Sequence, residues 1–304
     1  MNLTFSLKGV RSMEDISLRY VNDITFASDW KESWKEHFKS QIILFEARGT
    51  QARVLYNGGG HQTRHSLMIQ AVSEAMRKNP LSSSKRFYLF TGDSLPYGVG
   101  LEWKLLSTVG KRADYERVIP DAHSFAWPEI GIKDFKIHNH EMIMRSNAFT
   151  KKGEVINKTF WRGSLAQNSV RSNFKNHVEN SPDFEVSDNE KSGFFDMRDV
   201  GMYSTLVDLP GQGFSGRLKH LLVSGRPVVV FPRESWDWVT LQLEPCVDML
   251  VTMPSIEDLA ERCNLLMKNS SIRNHYASVG QKALRYLDRE VLLNAVSNCI
   301  KNCD

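Results

Sequence analysis

Between Tyr203 and Phe231 an apolar run ending in Leu206, Val207 and Leu209 meets Pro210 and Gly211. It gives way to a helical face of Phe214, Leu218, Leu221 and Leu222, stops at Gly225, and returns as the apolar run Val228 to Phe231. Strand, glycine turn, helix and strand in that order leave few options, because parallel strands need a crossover and a helix supplies it. The predicted fold class is therefore α/β. An earlier stretch reads the same way: Ala52 to Tyr56 is apolar, Asn57 to Gly60 breaks it, and Leu67, Met68, Ala71, Val72, Ala75 and Met76 follow with helical spacing. Phe87 to Phe90 then reads as a strand stopped by Thr91, Gly92 and Asp93, which places Asp93 at the carboxyl end of a predicted parallel strand.

At 304 residues a single core is near its upper size, so two domains with a cleft between them are expected. The polar stretch from Thr150 to Lys158 marks the boundary: residues 1–150 form one domain, 151–280 a second, and a helix in 281–304 packs back on the first. Ser255 with Asp258, and Asp288, open helices in the last third. The polar run Ser181 to Lys191 reads as a surface loop.

No run approaches the roughly 18 apolar residues of a membrane span, and the opening MNLTFSLKGVRSMED lacks the apolar centre of a secretory signal. A cytoplasmic protein without a transmembrane segment is expected. The cysteines Cys246, Cys263, Cys299 and Cys303 show no paired spacing, which argues for reduced thiols. A net charge of +4 with scattered cations does not point to nucleic acid, while a small anionic ligand suits it. Nothing in the sequence sets the oligomeric state.

Such a ligand has an evident place. In Gly211-Gln212-Gly213-Phe214-Ser215-Gly216-Arg217-Leu218-Lys219, small residues allow close backbone approach, and the amides of a first helical turn favour an anion. Arg217 and Lys219 add cations that such a turn disfavours unless an anion binds there. The same letters satisfy Gly-x-Gly-x-x-Gly at Gly211, Gly213 and Gly216, with Glu234 after the next strand where a ribose-binding acid would stand. An NAD(P)-dependent oxidoreductase is thus the alternative. A sugar-nucleotide binder without catalysis is a third reading.

Several separated blocks resemble the glycosyltransferases with a CAP10-like domain (glycosyltransferase family 90). They are Phe160-Trp161-Arg162-Gly163-Ser164 with Arg171 downstream, Gly213 to His220 followed by leucines and Ser224-Gly225, Trp236 or Trp238, and Leu243-Glu244-Pro245. Upstream stand Gly92-Asp93-Ser94-Leu95-Pro96 and Ser124-Phe125-Ala126-Trp127-Pro128-Glu129. The resemblance runs over residues 55 to 285 and is most specific in the second half. The Asp93-to-Pro96 and Ser164-to-Arg171 intervals are each one residue longer than the family's pattern.

The resemblance implies a GT-B fold, two Rossmann-like domains facing a cleft, and inverting transfer of glucose or xylose from a UDP-sugar to a hydroxyl of a glycan, lipopolysaccharide or protein. It implies that Arg162, Ser164, Arg171, Gln212, Gly213, Phe214, Ser215, Gly216 and Arg217, with Lys219, contact the nucleotide sugar. Asp93 is the implied general base. Phe125, Trp127, Glu129 and His65 are candidate acceptor contacts, although core packing is the better reading for at least one of the two aromatics and a satisfied structural histidine is the commoner reading of His65. No tightly bound cofactor is expected. No Asp-x-Asp stands in the chain, Asp114-x-Glu116 and Asp183-x-Glu185 being near misses, so a metal is not expected to be required. His61 and His65 lack a third ligand. A microbial or viral glycan, or a lipopolysaccharide core, is the expected acceptor.

Overall fold

Ile42, Ile43, Leu44 and Phe45 are consecutive and all wholly buried, so the strand that carries them is covered on both faces. The computed structural model describes residues 24, 26, 28–93, 105–193, 195–243 and 250–303. Ser94, Leu95, Pro96, Glu244, Pro245 and Cys246 of the segments quoted above lie outside these residues.

The first part of the chain runs α1 (Glu32–Ser40), β1 (Ile42–Gly49), β2 (Gln51–Asn57), α2 (Gln62–Lys78), β3 (Leu81–Phe90), β4 (Leu105–Ser107) and β5 (Val109–Gly110). Its sheet has the order β2-β1-β3-β4. β1 pairs antiparallel with both β2 and β3, and only β3 with β4 is parallel. β2 and β3 thus run in one direction on either side of β1, and α2 is the crossover between them. The sheet is mixed where a Rossmann-like domain would be parallel. The cause is β1, which pairs back on β2 through a tight turn at Gly49, where φ is 55°. Side chains alternate across β1: Ile43, Phe45 and Ala47 join the core that includes Met68, Val72 and Met76 of α2, and Ile42 and Leu44 join Phe38 of α1.

The chain continues with α3 (Phe135–Lys152), capped by Asp134 and ended by Gly153 at φ 71°. Then come β6 (Ile156–Gly163), α4 (Ser169–Val178), β7 (Phe184–Asp188), α5 (Asn189–Ser192), β8 (Tyr203–Asp208), α6 (Leu218–Val223) and β9 (Val228–Val230). This second sheet has the order β7-β6-β8-β9 and every neighbouring pair is parallel. From β6 the chain steps outward to β7, then returns past β6 to β8 and β9. The sheet is therefore doubly wound, with its switch point between β6 and β8.

The remaining elements are β10 (Trp236–Asp237), α7 (Trp238–Gln242), α8 (Ile256–Lys268), α9 (Ser270–Gln281) and α10 (Arg289–Asn302). β10 pairs with β5, so a two-stranded ladder links the segments around the two sheets. Ser255 caps α8 by accepting from the Asp258 amide, and Asp288 caps α10 by accepting from Glu290. α10 lies against α2, where Arg289 pairs with Glu74 and Lys78 with Glu290, both at 2.5 Å. Such exposed pairs contribute little, and the contact is held mainly by Leu292, Leu293, Val296 and Ile300, each at most 1% exposed. Residues of both sheets belong to one apolar cluster.

Two further expectations are corrected here. The Ser181 to Lys191 run holds strand β7 and the short helix α5, not a loop. The helix after the glycine turn begins at Leu218, not near Phe214, and has only six residues. Among the described residues no helix is long and apolar enough to cross a membrane, and Cys263 and Cys299 are free thiols.

Candidate functional site

In an open parallel sheet the strands on either side of the switch point send their following loops in opposite directions, which leaves a crevice beyond their carboxyl ends. Here those ends are Arg162-Gly163-Ser164 after β6 and Asp208 with the Gly211–Arg217 turn after β8. A cavity of about 610 Å³ lies there, lined by Gly163, Ser164, Gly211, Gln212, Ser215 and Arg217 among others. That volume is typical of a small-ligand site.

Trp161 points inward from β6 and is 1% exposed. The guanidinium groups of Arg217 and Arg171 lie 5.2 and 5.5 Å from its ring centre. A Cβ on Gly163 would come within 2.9 Å of Trp161 Cζ2, so the glycine of the Arg-Gly-Ser block is a steric consequence of the indole. Arg171 donates from Nε to the Pro210 carbonyl at 2.8 Å, and from Nη1 to the Ser164 carbonyl at 2.8 Å and Gln167 Oε1 at 2.7 Å. It thereby ties the end of β6 to the loop after β8. Arg162 donates from Nε to Ser187 Oγ at 2.9 Å and lies 5.3 Å from the ring centre of Phe195, which also lines the cavity.

Asp208 is the electrostatic centre of this end of the sheet. It is wholly buried and accepts from Ser215 Oγ at 2.8 Å and Arg217 Nε at 3.3 Å, with Arg233 Nη2 2.7 Å from its other oxygen. Burial alone would raise its pKa, but the Arg233 and Arg217 charges outweigh it and hold the carboxyl below its ordinary value. Burial pushes Arg217 down against the pull of Asp208, and Arg171 falls to about 10 through burial followed by the nearby Arg217 charge. Arg217 Nη1 donates to the Arg162 carbonyl at 2.5 Å, while Arg217 Nη2 and Arg233 Nε and Nη1 are buried with no partner. Three guanidiniums thus face one buried carboxylate, and donors remain unsatisfied.

The structure brings Asp93, Trp127, Arg162, Ser164, Arg171, Gln212, Phe214, Ser215, Gly216 and Arg217 together on this one cavity. Gly213 belongs to the same turn but does not line the cavity. Asp93 lies on the wall with Oδ1 2.6 Å from Arg64 Nη1, and its carbonyl accepts from the Phe214 amide at 3.2 Å.

Four expected site residues fall elsewhere. Lys219 is wholly buried and faces away from the cavity: Nζ lies 3.0 Å from Asp121 Oδ1 and 4.0 Å from Asp237 Oδ2, and donates to the Gly216 carbonyl at 3.0 Å. It is a structural cation and not a phosphate contact. Phe125 is 7% exposed, within the core, with the Arg289 guanidinium 5.8 Å from its ring centre. His65 is 1% exposed and held between Asn57 Oδ1 and Thr91 Oγ1, a structural position. Glu129 lines a smaller neighbouring cavity of about 290 Å³, also bordered by His61, Arg64, His123 and Trp127. Glu234, the expected ribose acid, is 83% exposed and 3.7 Å from Lys111.

Sequence reasoning missed Asp208, Arg233, Arg64, Phe195 and His123. Asp208 carries a readable signal, an acid at a strand end before Pro210-Gly211. The other four carry none that spacing alone would show. Among the described residues no three His, Cys, Asp or Glu side chains gather as a metal-holding group. A scan of the chain against protein-family models finds no match, and a search among curated proteins finds none either.

Proposed function

We propose that the chain binds a UDP-sugar in the cavity at the β6–β8 switch point and transfers the sugar to a hydroxyl acceptor. One observation carries the reading: the walls set Arg171 and Arg217, backed by Arg233, against the single buried carboxylate Asp208. A diphosphate supplies the missing anionic charge, and guanidinium groups are the side chains best suited to bind it through charge-assisted hydrogen bonds. Strand carboxyl ends at a switch point are where nucleotides bind in such sheets. Of the blocks that resemble CAP10-like glycosyltransferases, Phe160 to Ser164, Arg171, Phe214 to Arg217, Asp93 and Trp127 line the same space, and the GT-B arrangement with domains 1–150, 151–280 and 281–304 belongs to this reading.

The chemistry follows from the charges. An acceptor oxygen attacks the anomeric carbon, the bond from that carbon to the diphosphate oxygen breaks with its electron pair, and the leaving UDP gains negative charge beside fixed guanidiniums. The proton of the hydroxyl passes to a group on the cavity wall, for which the family resemblance offers Asp93.

Thermal unfolding with UDP, UDP-glucose, UDP-xylose and NADPH tests the reading, since a ligand present at 100 times its Kd stabilises by about 2.7 kcal/mol. Protection by UDP and its sugars but not by NADPH is expected. Protection by NADPH alone would favour the oxidoreductase reading, and UDP protection without UDP release from either sugar nucleotide would favour a binder.

A further inference from the structure

The chain just beyond β3 is tied down on several sides. The Thr91 amide donates to the Gln41 carbonyl at 2.9 Å, and the Thr91 hydroxyl donates to the same carbonyl at 3.0 Å. His65 Nε2 lies 2.9 Å from that hydroxyl. Gly92 is packed so closely that a Cβ there would overlap Gln41 and Phe90. The Asp93 carbonyl accepts from the Phe214 amide at 3.2 Å, which joins the end of β3 to the turn that carries Arg217. The backbone of Asp93 is therefore fixed relative to the proposed diphosphate site, and only its side chain is left to be oriented.

Arg64 meets that side chain. Its Nη1 donates to Asp93 Oδ1 at 2.6 Å and lies 3.4 Å from the Thr91 carbonyl. Among the described residues Oδ2 of Asp93 accepts no hydrogen bond. Arg64 stands in the first turn of α2, where the helix dipole disfavours a cation, and the carboxylate offsets that charge. Both side chains line the switch-point cavity, with 22% of Arg64 and 29% of Asp93 accessible, so the pair lies in the wall and not in the core. Ion pairs open to water contribute little to stability, which leaves the place of this one in a cavity wall to be explained by something else. Arg64 also borders the smaller cavity of about 290 Å³.

We propose that Arg64 is a positioning residue for sugar transfer: by holding Oδ1 it sets the Asp93 carboxylate so that Oδ2 meets the acceptor hydroxyl. This rests on the nucleotide-sugar reading above. An aspartate side chain turns about two bonds, and a partner fixed on one oxygen confines both. A general base has to stand within hydrogen-bond reach of the proton it takes, and a displacement of about 1 Å costs roughly 10²-fold in rate. As the acceptor oxygen bonds to the anomeric carbon, its O–H bond breaks toward Oδ2, and the electron pair of the breaking glycosyl bond leaves on UDP. Oδ1 goes on accepting from Arg64 throughout, so the carboxyl keeps its place while it gains the proton.

The test measures UDP release from UDP-glucose and UDP-xylose, with water and with methyl glucosides as acceptors, at enzyme concentrations that read residual rates. The proteins compared are the intact chain, Arg64→Gln, Arg64→Lys, Asp93→Asn and the double variant Arg64→Gln with Asp93→Asn. For Arg64→Gln the expected result is a kcat lower by about 10²-fold, with donor KM and thermal protection by UDP unchanged. Arg64→Lys keeps a cationic donor and stays within about tenfold of the intact chain. In the Asp93→Asn background Arg64→Gln changes kcat by less than about twofold, because the oxygen it places is no longer a base. A residue that only supported the fold would lower both backgrounds alike.

Should the glutamine variant fail to fold, Arg64→Lys carries the same comparison: its loss of kcat disappears in the Asp93→Asn background. Undiminished kcat in Arg64→Gln, or a loss that persists in full beside Asp93→Asn, overturns the proposal and leaves the UDP site standing. So does a raised donor KM at unchanged kcat, which would make Arg64 a donor contact. Full turnover in Asp93→Asn removes the base that Arg64 would position, and UDP protection without UDP release in the intact chain removes the transfer itself. Absence of UDP protection in the intact chain removes the nucleotide-sugar reading and this proposal together.

Discussion

Arg217 holds Asp208 through Nε at 3.3 Å while its Nη2 is buried without a partner. The carboxylate is shared with Arg233, so neither arginine is fully neutralised and the one that lines the cavity keeps charge to offer a ligand. Arg217→Ala is expected to weaken UDP by about 10- to 100-fold, the worth of one charge-assisted hydrogen bond, seen as loss of thermal protection. The fold persists, since Asp208 retains Arg233 and Ser215. Arg217→Lys restores only part of the affinity, because an ammonium lacks the planar fork. Unchanged UDP protection in Arg217→Ala would remove the diphosphate site from this turn.

Lys219→Met leaves Asp121 and Asp237 buried without their cation. Removing one partner of a buried pair costs about 3–5 kcal/mol, so urea unfolding should show an unfolding free energy lower by that amount and a midpoint lowered by that amount divided by the m-value. Whatever folded protein remains should still be protected by UDP, which separates this buried cation from a phosphate contact.

Gly163→Ala places a methyl group 2.9 Å from Trp161 Cζ2, an indole fixed beneath two guanidiniums. An overpacking loss of about 1–3 kcal/mol is expected, together with weaker UDP protection, since Gly163 is part of the cavity wall. Equal stability and equal protection in the variant would show that the tryptophan can move.

Burial holds His65 and His138 neutral, each down to about 4. Above pH of about 6.5 folded and unfolded chains both carry neutral imidazoles, so these sites have no effect on stability. Below it the unfolded chain takes up protons that the folded chain refuses, and stability falls as pH drops toward about 4. Thermal midpoints measured from pH 7 to 4 should decline over that window. His138→Leu removes one proton from the difference and should flatten the decline.

How much of the fold and the site is legible in the sequence depends on how far each signal reaches. The β8–turn–α6–β9 unit shows as two apolar runs around Pro210-Gly211 and a leucine face, because a central parallel strand is apolar on both sides. β7 does not show, since Phe184-Glu185-Val186-Ser187-Asp188 is an edge strand with one neighbour and half-exposed side chains. The expectation for Lys219 fails for a geometric reason: two residues along a helix turn the side chain by about 200°, so Arg217 and Lys219 cannot face one ligand. His123 is invisible at that level because its partner Asp121 gains meaning only through Lys219, about a hundred positions on, as the loops converge.

The packing of α10 on α2 also fixes when this molecule is finished. A ribosome that has reached only residue 288 has made every strand among the described residues and the walls of the switch-point cavity, yet the apolar flank of α2 that Leu292, Leu293, Val296 and Ile300 will cover still faces water. Synthesis of the first sheet therefore precedes its completion by some two hundred residues, an interval in which the growing chain offers chaperones a sticky helix.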